Sequence, residues 1–336
     1  MVAKQRDITI DFIKALCIIS VPFLHAAPIY FSPAGTPETT TSFVAHLFQG
    51  ILIGFCIPTF IFFSGWFHHD APWFPFLKKN AHALLCPYFV TAFVVVLMLL
   101  AFGHPDLVGH KLLGILSVNG SEVGDPAVRW YRWAGPIWFL PVLFWCRVIH
   151  KALYGRLPGY LALAIGFGWL ALAAGHWIPN YNFGLLTAVG CVGYYSLGFF
   201  CHEKRLNEHL GSFFKSGLWM PAFLLCAYSM SHFVLDISTF RFEPYPVTFL
   251  TSVFSIAFLY LILSHVPRFL HPVMNWVGQN TLLILCYHTL ALMVVWKIHL
   301  STPLWNPIWH ILIYTVLTFM LPYIHISIRR FLHHAA

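Results

Sequence analysis

The sequence predicts an all-α fold, a polytopic bundle of about ten transmembrane helices with both termini on the cytoplasmic side. Three observations predict it. Only 9% of the 336 residues are charged, 59% are hydrophobic, and the mean hydropathy is +0.74. A soluble domain carries about 25% charged residues because its surface has to be wetted. The apolar residues also come in runs of about 20, the length a helix needs to cross a bilayer. Finally, Lys and Arg crowd into alternate connecting segments, as the positive-inside rule requires. This composition excludes a soluble enzyme, a disordered chain and a nucleic-acid-binding module, despite the formal net charge of +8.

The predicted spans are 10–30, 46–67, 81–102, 134–150, 158–178, 185–201, 216–235, 246–265, 277–297 and 306–327. The first is not a cleavable signal, because Asp11 and Lys14 interrupt what would be its uncharged core. Two spans, 134–150 and 185–201, are short for the purpose. With the N-terminus inside, thirteen of the 19 basic residues fall in cytoplasmic segments and five outside, with Lys14 in the first helix. The net positive charge is therefore a topology signal, and the expected location is the inner (plasma) membrane, as a multi-pass protein. The longest connections, 103–133, 31–45 and 236–245, fall outside, and the first is a natural place to meet an external substrate. No soluble segment is expected beyond the last span, so residues 1–336 read as a single integral-membrane domain.

The eight cysteines lie in or beside apolar runs without CxxC or Cys/His metal spacing. They read as small core hydrophobes, and neither a metal site nor a disulfide framework is expected. Ionisable groups within a span are costly and mark function by default. The first helix carries three: Asp11, Lys14 and His25. At about 100° per residue, Lys14 and His25 lie within about 20° of each other and Asp11 about 60° away, so all three share a face. Lys14 and His25 are roughly 16 Å apart along the axis and cannot touch. The plainer alternative is a boundary ion pair with a snorkelling lysine and a histidine bonded within the core.

Asp11-x-x-Lys14, followed by ten residues and His25, resembles the first-helix signature of the acyltransferase-3 family of integral-membrane acyltransferases. Four further segments resemble that family in order. They are Phe62-Phe63-Ser64-Gly65-Trp66, the basic stretch Phe76-Leu77-Lys78-Lys79 leading to Pro87-Tyr88, Trp138-Phe139-Leu140, and Gly278-Gln279-Asn280-Thr281 followed by Tyr287-His288. The flavour is closest to the fucose O-acetylase-like branch. Departures exist: Lys14 stands where many members have Arg, and Asn80 and His82 replace further arginines after Lys79.

The resemblance implies transfer of an acyl group, most commonly acetyl from acetyl-CoA, to a hydroxyl of a cell-envelope glycan or lipid-linked sugar. A sugar hydroxyl is a poor nucleophile and needs a base, a role that suits histidine. His25 is the expected base, with Asp11 and Lys14 orienting helix or donor, and His288 the second site histidine. Asn280, Thr281, Tyr287 and Trp138 are expected at the substrates, the first three as candidate donors to the oxyanion. Lys78 and Lys79 are candidates for the CoA phosphates on the cytoplasmic side; the alternative is ordinary positive-inside flanking. No metal and no nucleic acid enter this scheme. His68-His69-Asp70 could bind a metal but lacks convergent ligands, and Trp130, Tyr131 and Trp133 could stack on sugar rings but read more plainly as an interfacial belt. The rival function is a permease that uses the same buried charges for ion coupling.

Overall fold

A computed structural model describes residues 7–31, 56–118, 135–154, 159–175, 182–217, 220–221, 234–236, 241–243, 245–263, 267–301 and 307–335, to which the following account is confined. The helices are α1 (Ile8–Phe31), α2 (Cys56–Trp66), α3 (Trp73–Asn80), α4 (Cys86–Ala101), α5 (Val108–Ser117), α6 (Phe139–Leu153), α7 (Tyr160–Gly175), α8 (Leu185–Glu203), α9 (Leu210–Lys215), α10 (Tyr245–Leu263), α11 (His271–Gln279), α12 (Thr281–Ser301) and α13 (Pro307–Ala335). Two three-residue strands, β1 (Val234–Asp236) and β2 (Arg241–Glu243), pair antiparallel with Leu235 opposite Phe242.

Nine of the ten predicted spans coincide with a helix among the described residues. Five helical stretches are long and apolar enough to cross a membrane: Trp73–Ala101, Pro136–Leu153, Leu185–Glu203, Pro246–Leu263 and Ile311–Leu332. The pair His271–Gln279 and Thr281–Val295, bent by 77°, makes a sixth, so the chain is a multi-pass membrane protein. The span predicted at 216–235 lies mostly outside the described residues, and its last two positions belong to β1 rather than to a helix.

Three local features depart from the predicted pattern. The third span starts early, because α3 continues through a π-helical turn, Ala81–Leu85, into α4. Pro87, in the first turn of α4, has no N–H and its ring crowds the carbonyl four residues back; the widened turn accommodates it. The connection 103–133, predicted to lie outside, is not wholly a loop. Its first part forms α5, with Lys111, Gly114, Ile115 and Ser117 buried and Leu112, Leu113 and Leu116 exposed. The Tyr88 hydroxyl donates to the Ile115 carbonyl at 2.6 Å and ties α5 to α4. Last, the span predicted at 277–297 is broken at Asn280, between α11 and α12.

Helix directions alternate. Cys17 lies beside Cys56, while Ile10 and Ile13 cluster with Phe62, Phe63 and Trp66, so α2 runs back along α1. The Tyr260 hydroxyl at the end of α10 donates to Asp7 just before α1, at 2.8 Å. Trp145 Nε1 donates to the Phe183 carbonyl and His150 faces Ser196, so α6 and α8 run side by side in the same direction. The start of α1 and the ends of α2, α6, α8 and α10 thus share one end of the bundle, the basic end in sequence.

Small residues set the closest approaches. A Cβ on Gly65 would stand 1.9 Å from the Tyr195 carbonyl oxygen, and one on Gly198 1.9 Å from that of Phe62. These two glycines let α2 and α8 touch backbone to backbone. A Cβ on Gly278 would lie 2.1 Å from the Asp11 carbonyl oxygen. Close backbone packing of this kind is what holds helices together in lipid, where burial of apolar side chains gives little.

Gly278→Ala forces α11 off α1 and is expected to destabilise the protein by about 1–3 kcal/mol. Gly166→Ala, with no atom within 4 Å of the added carbon, serves as the control. Thermal melting of the detergent-solubilised protein measures the difference; equal melting temperatures would refute the packing argument.

Candidate active site

Asp11 is 4% exposed, and Lys14 Nζ lies 3.5 Å from its Oδ1. Their spacing of three places both on one face of α1, as the periodicity predicts. Because Gly278 seats the start of α1 on α11, the pair sits against the bend at Asn280. That bend is built by Asn280 itself. Its Nδ2 donates to the Trp276 carbonyl at 2.7 Å, closing the end of α11, and its own carbonyl accepts from Ile284 N at 2.9 Å, opening α12. Thr281, half-buried, is the first residue of α12. The Asp-x-x-Lys and Gly-x-Asn-Thr segments, remote in sequence, are therefore one neighbourhood.

His288 is fully buried, two turns further along α12, with its Nδ1 2.5 Å from the Tyr314 hydroxyl of α13. Next to it, Thr289 faces Gly135, where an added Cβ would meet the threonine methyl at 3.1 Å. This contact seats the 3-10 turn Pro136–Trp138 against α12, with Trp138 5% exposed. The Trp-Phe-Leu segment thus packs against α12, the helix that carries His288.

Other expected residues lie apart. Tyr287 points about 100° away from its neighbour His288, as successive helical residues must. Its hydroxyl meets His325 Nδ1 at 2.9 Å in a groove of about 650 Å³ lined also by Leu321, Ile324, Ile328 and Arg329. Lys78 and Lys79 are exposed on the last turn of α3. His25 belongs to α1, but its side chain lies outside the described residues, as do Trp130, Tyr131 and Trp133.

A second cluster was not anticipated. Arg147, on α6, donates through Nη1 to Asn80 Oδ1 at 2.6 Å and through Nη2 to Ser64 Oγ at 2.9 Å. Asn80 is held by its Nδ2 bond to the Phe76 carbonyl at 2.8 Å. One turn on, His150 is fully buried, with Nδ1 3.0 Å from Ser196 Oγ. Its ring lies edge-on to His68, with centroids 4.8 Å apart, and His68 Nδ1 is 2.8 Å from the Tyr195 hydroxyl. At the rim, Lys151 pairs with Asp70, and its Nζ lies 5.1 Å from the ring centroids of both Trp73 and Phe76. The available signal was an arginine inside the predicted span 134–150, which the charge tally treated as a flank.

His68, His69 and Asp70 do not converge: His68 turns inward to Tyr195, whereas His69 is exposed and Asp70 faces Lys151. Among the described residues no group of three or more His, Cys, Asp or Glu side chains is placed to hold a metal ion. Burial lowers the His68 pKa to about 4, with Arg147 and Lys151 adding to the effect and Asp70 opposing it. The Lys151 hydrogen bond holds the Asp70 carboxyl below its ordinary range.

The family model described as "Acyltransferase domain" matches residues 7–326, nearly the whole chain. The chain belongs to the acyltransferase-3 family. No curated protein and no solved structure matches it. Membership makes the protein a membrane acyltransferase, and both clusters lie within the matched acyltransferase domain. The fucose O-acetylase-like branch is not confirmed by the match.

The His68 environment predicts a pH dependence. The unfolded chain protonates this imidazole near 6.5 and the folded protein only near 4, so the unfolded state binds more protons between those values. Its contribution to stability is intact above pH 6.5 and is lost as pH falls towards 4. His68→Gln should flatten that part of the melting-temperature profile; an unchanged slope would contradict the assignment.

Proposed function

We propose that this acyltransferase moves an acyl group, most often acetyl, from acyl-CoA to a hydroxyl of a cell-envelope glycan or lipid-linked sugar. The observation that carries the reading is the fully buried His288, in contact with Tyr314, on a helix that packs beside the one bearing His25. Buried imidazoles amid apolar helices are expensive, and proton transfer is what they supply.

In the proposed reaction His25 takes the proton of the acceptor hydroxyl as its oxygen attacks the thioester carbonyl. The tetrahedral oxyanion collapses, the carbon–sulfur bond breaks, and the imidazolium returns the proton to the leaving CoA thiolate. Donors near His288, with Asn280 and Thr281 as further candidates, stabilise the oxyanion, whereas Tyr287 faces His325 instead. Asp11 and Lys14 position α1 and the donor, and Trp138 packs beside the acceptor. Lys78 and Lys79 attract the CoA phosphates at the basic, cytoplasmic end, where both termini lie, in the inner membrane. Residues 1–336 act as one domain, and no metal takes part.

His25→Ala is expected to lower kcat for acyl transfer about 10²-fold or more while acyl-CoA affinity changes little. Purified wild type and variant are compared by acetyl transfer and by calorimetric acetyl-CoA binding, with melting temperature as the folding control. Near-normal transfer by a folded variant would remove His25 from the mechanism. A protein that binds no acetyl-CoA and cleaves no thioester would instead be a permease of related fold. For the orientation, a cysteine placed at position 120 should react with an external thiol reagent and one at 79 should not; the reverse labelling would invert the route proposed for CoA.

A further inference from the structure

Arg147 stands in an unusual electrostatic position. The side chains that meet Arg147, Ser64, Asn80 and Tyr195, are neutral, and no carboxylate among the described residues lies within ion-pair distance. Asp70, at the rim of this cluster, is taken by Lys151. A guanidinium removed from water without a counter-charge is strongly unfavourable, so a site that keeps one is built for an anion.

The surrounding atoms match that requirement. Arg147 Nε is buried with no hydrogen-bond partner, and so are His68 Nε2 and His150 Nε2. An arginine Nε can only donate. The Tyr195 and Ser196 hydroxyls face the two Nδ1 atoms; when they donate there, both Nε2 atoms carry hydrogen and become donors as well. Arg147 and His150 share a face of α6 at a spacing of three, and the two imidazoles are in ring contact. Three donors and one uncompensated positive charge thus lie together, with the exposed Lys78 and Lys79 on the helix that supplies Asn80. The complement is a multiply charged oxyanion rather than a single carboxylate.

We propose that Arg147, with Ser64, Asn80, His68 and His150, forms a buried receptor for a phosphate group. In the reading above, on which this assignment rests, the phosphate belongs to the acyl-CoA donor, and Arg147 rather than the exposed lysines is its anchor. A lipid headgroup offers the same chemistry and is separated by experiment. Arg147 acts as a binding residue remote from the thioester, so its loss raises KM more than it lowers kcat.

Inorganic pyrophosphate is titrated calorimetrically into the protein in phosphatidylcholine vesicles. Wild type should bind it, and Arg147→Gln should weaken binding about 10- to 100-fold, the loss of a charge-assisted contact. Asn80→Asp places a carboxylate against Nη1 at nearly constant shape. It should keep or raise the melting temperature and abolish pyrophosphate binding, and it decides the matter if Arg147→Gln does not fold. No binding by wild type, or equal binding by Asn80→Asp, overturns the proposal. Competition by CoA assigns the phosphate to the donor. Weakening by phosphatidylglycerol in the vesicles without competition by CoA overturns that assignment in favour of lipid. Normal pyrophosphate binding with no acyl transfer would instead defeat only the function proposed above.

Discussion

Everything in this bundle depends on how closely its helices approach. Lipid chains are as apolar as leucine, so association cannot draw on the hydrophobic effect as a soluble core does. Gly278 answers that constraint where it matters most, because the Asp11 carbonyl lies where its side chain would be. This one contact brings the charged end of α1 to the bend at Asn280 and so aligns α12, with His288, beside α1. Gly65 and Gly198 do the same for α2 and α8, and thereby bring Ser64 and Tyr195 to the end of α6. The glycine of a sequence motif is here a packing residue, and the polar neighbour beside it is what the packing delivers.

Among the described residues two buried polar neighbourhoods stand out, and they differ in how charge is balanced. Asp11 and Lys14 are joined to each other on one helix. His288 is a neutral-partnered imidazole, held by a phenol. Arg147 gathers neutral side chains from α2 and from the end of α3. In low dielectric an ion is tolerated when paired or hydrogen-bonded. The function proposed above assigns proton transfer and orientation to the first neighbourhood and electrostatic binding to the second.

The broken helix at Asn280 and the π turn before Pro87 are irregular backbone inside apolar spans. In a membrane, main-chain groups freed from a helix must find partners inside the protein. Asn280 supplies one by bonding the Trp276 carbonyl, and its bend lets α11 lie across the start of α1. The π turn leads from Asn80, which Arg147 reaches, into the apolar α4.

The sequence by itself determined the all-α class, nine of the described span positions, the shared face of Asp11 and Lys14, and the family, through motifs that run from Asp11 to His288 in order. These are local properties: run length, helical period and residue identity at short spacing do not depend on what packs against them. Only the tertiary structure decided that α5 exists within a connection, that Tyr287 meets His325 while His288 meets Tyr314, and that the 277–297 span is two helices. It alone joined Arg147 to Asn80 and Ser64, which stand 67 and 83 positions away. An arginine near the end of an apolar run reads the same whether it flanks a membrane or enters a core. Which it does is set by the partners that other helices bring to it, and a single run of sequence does not contain them.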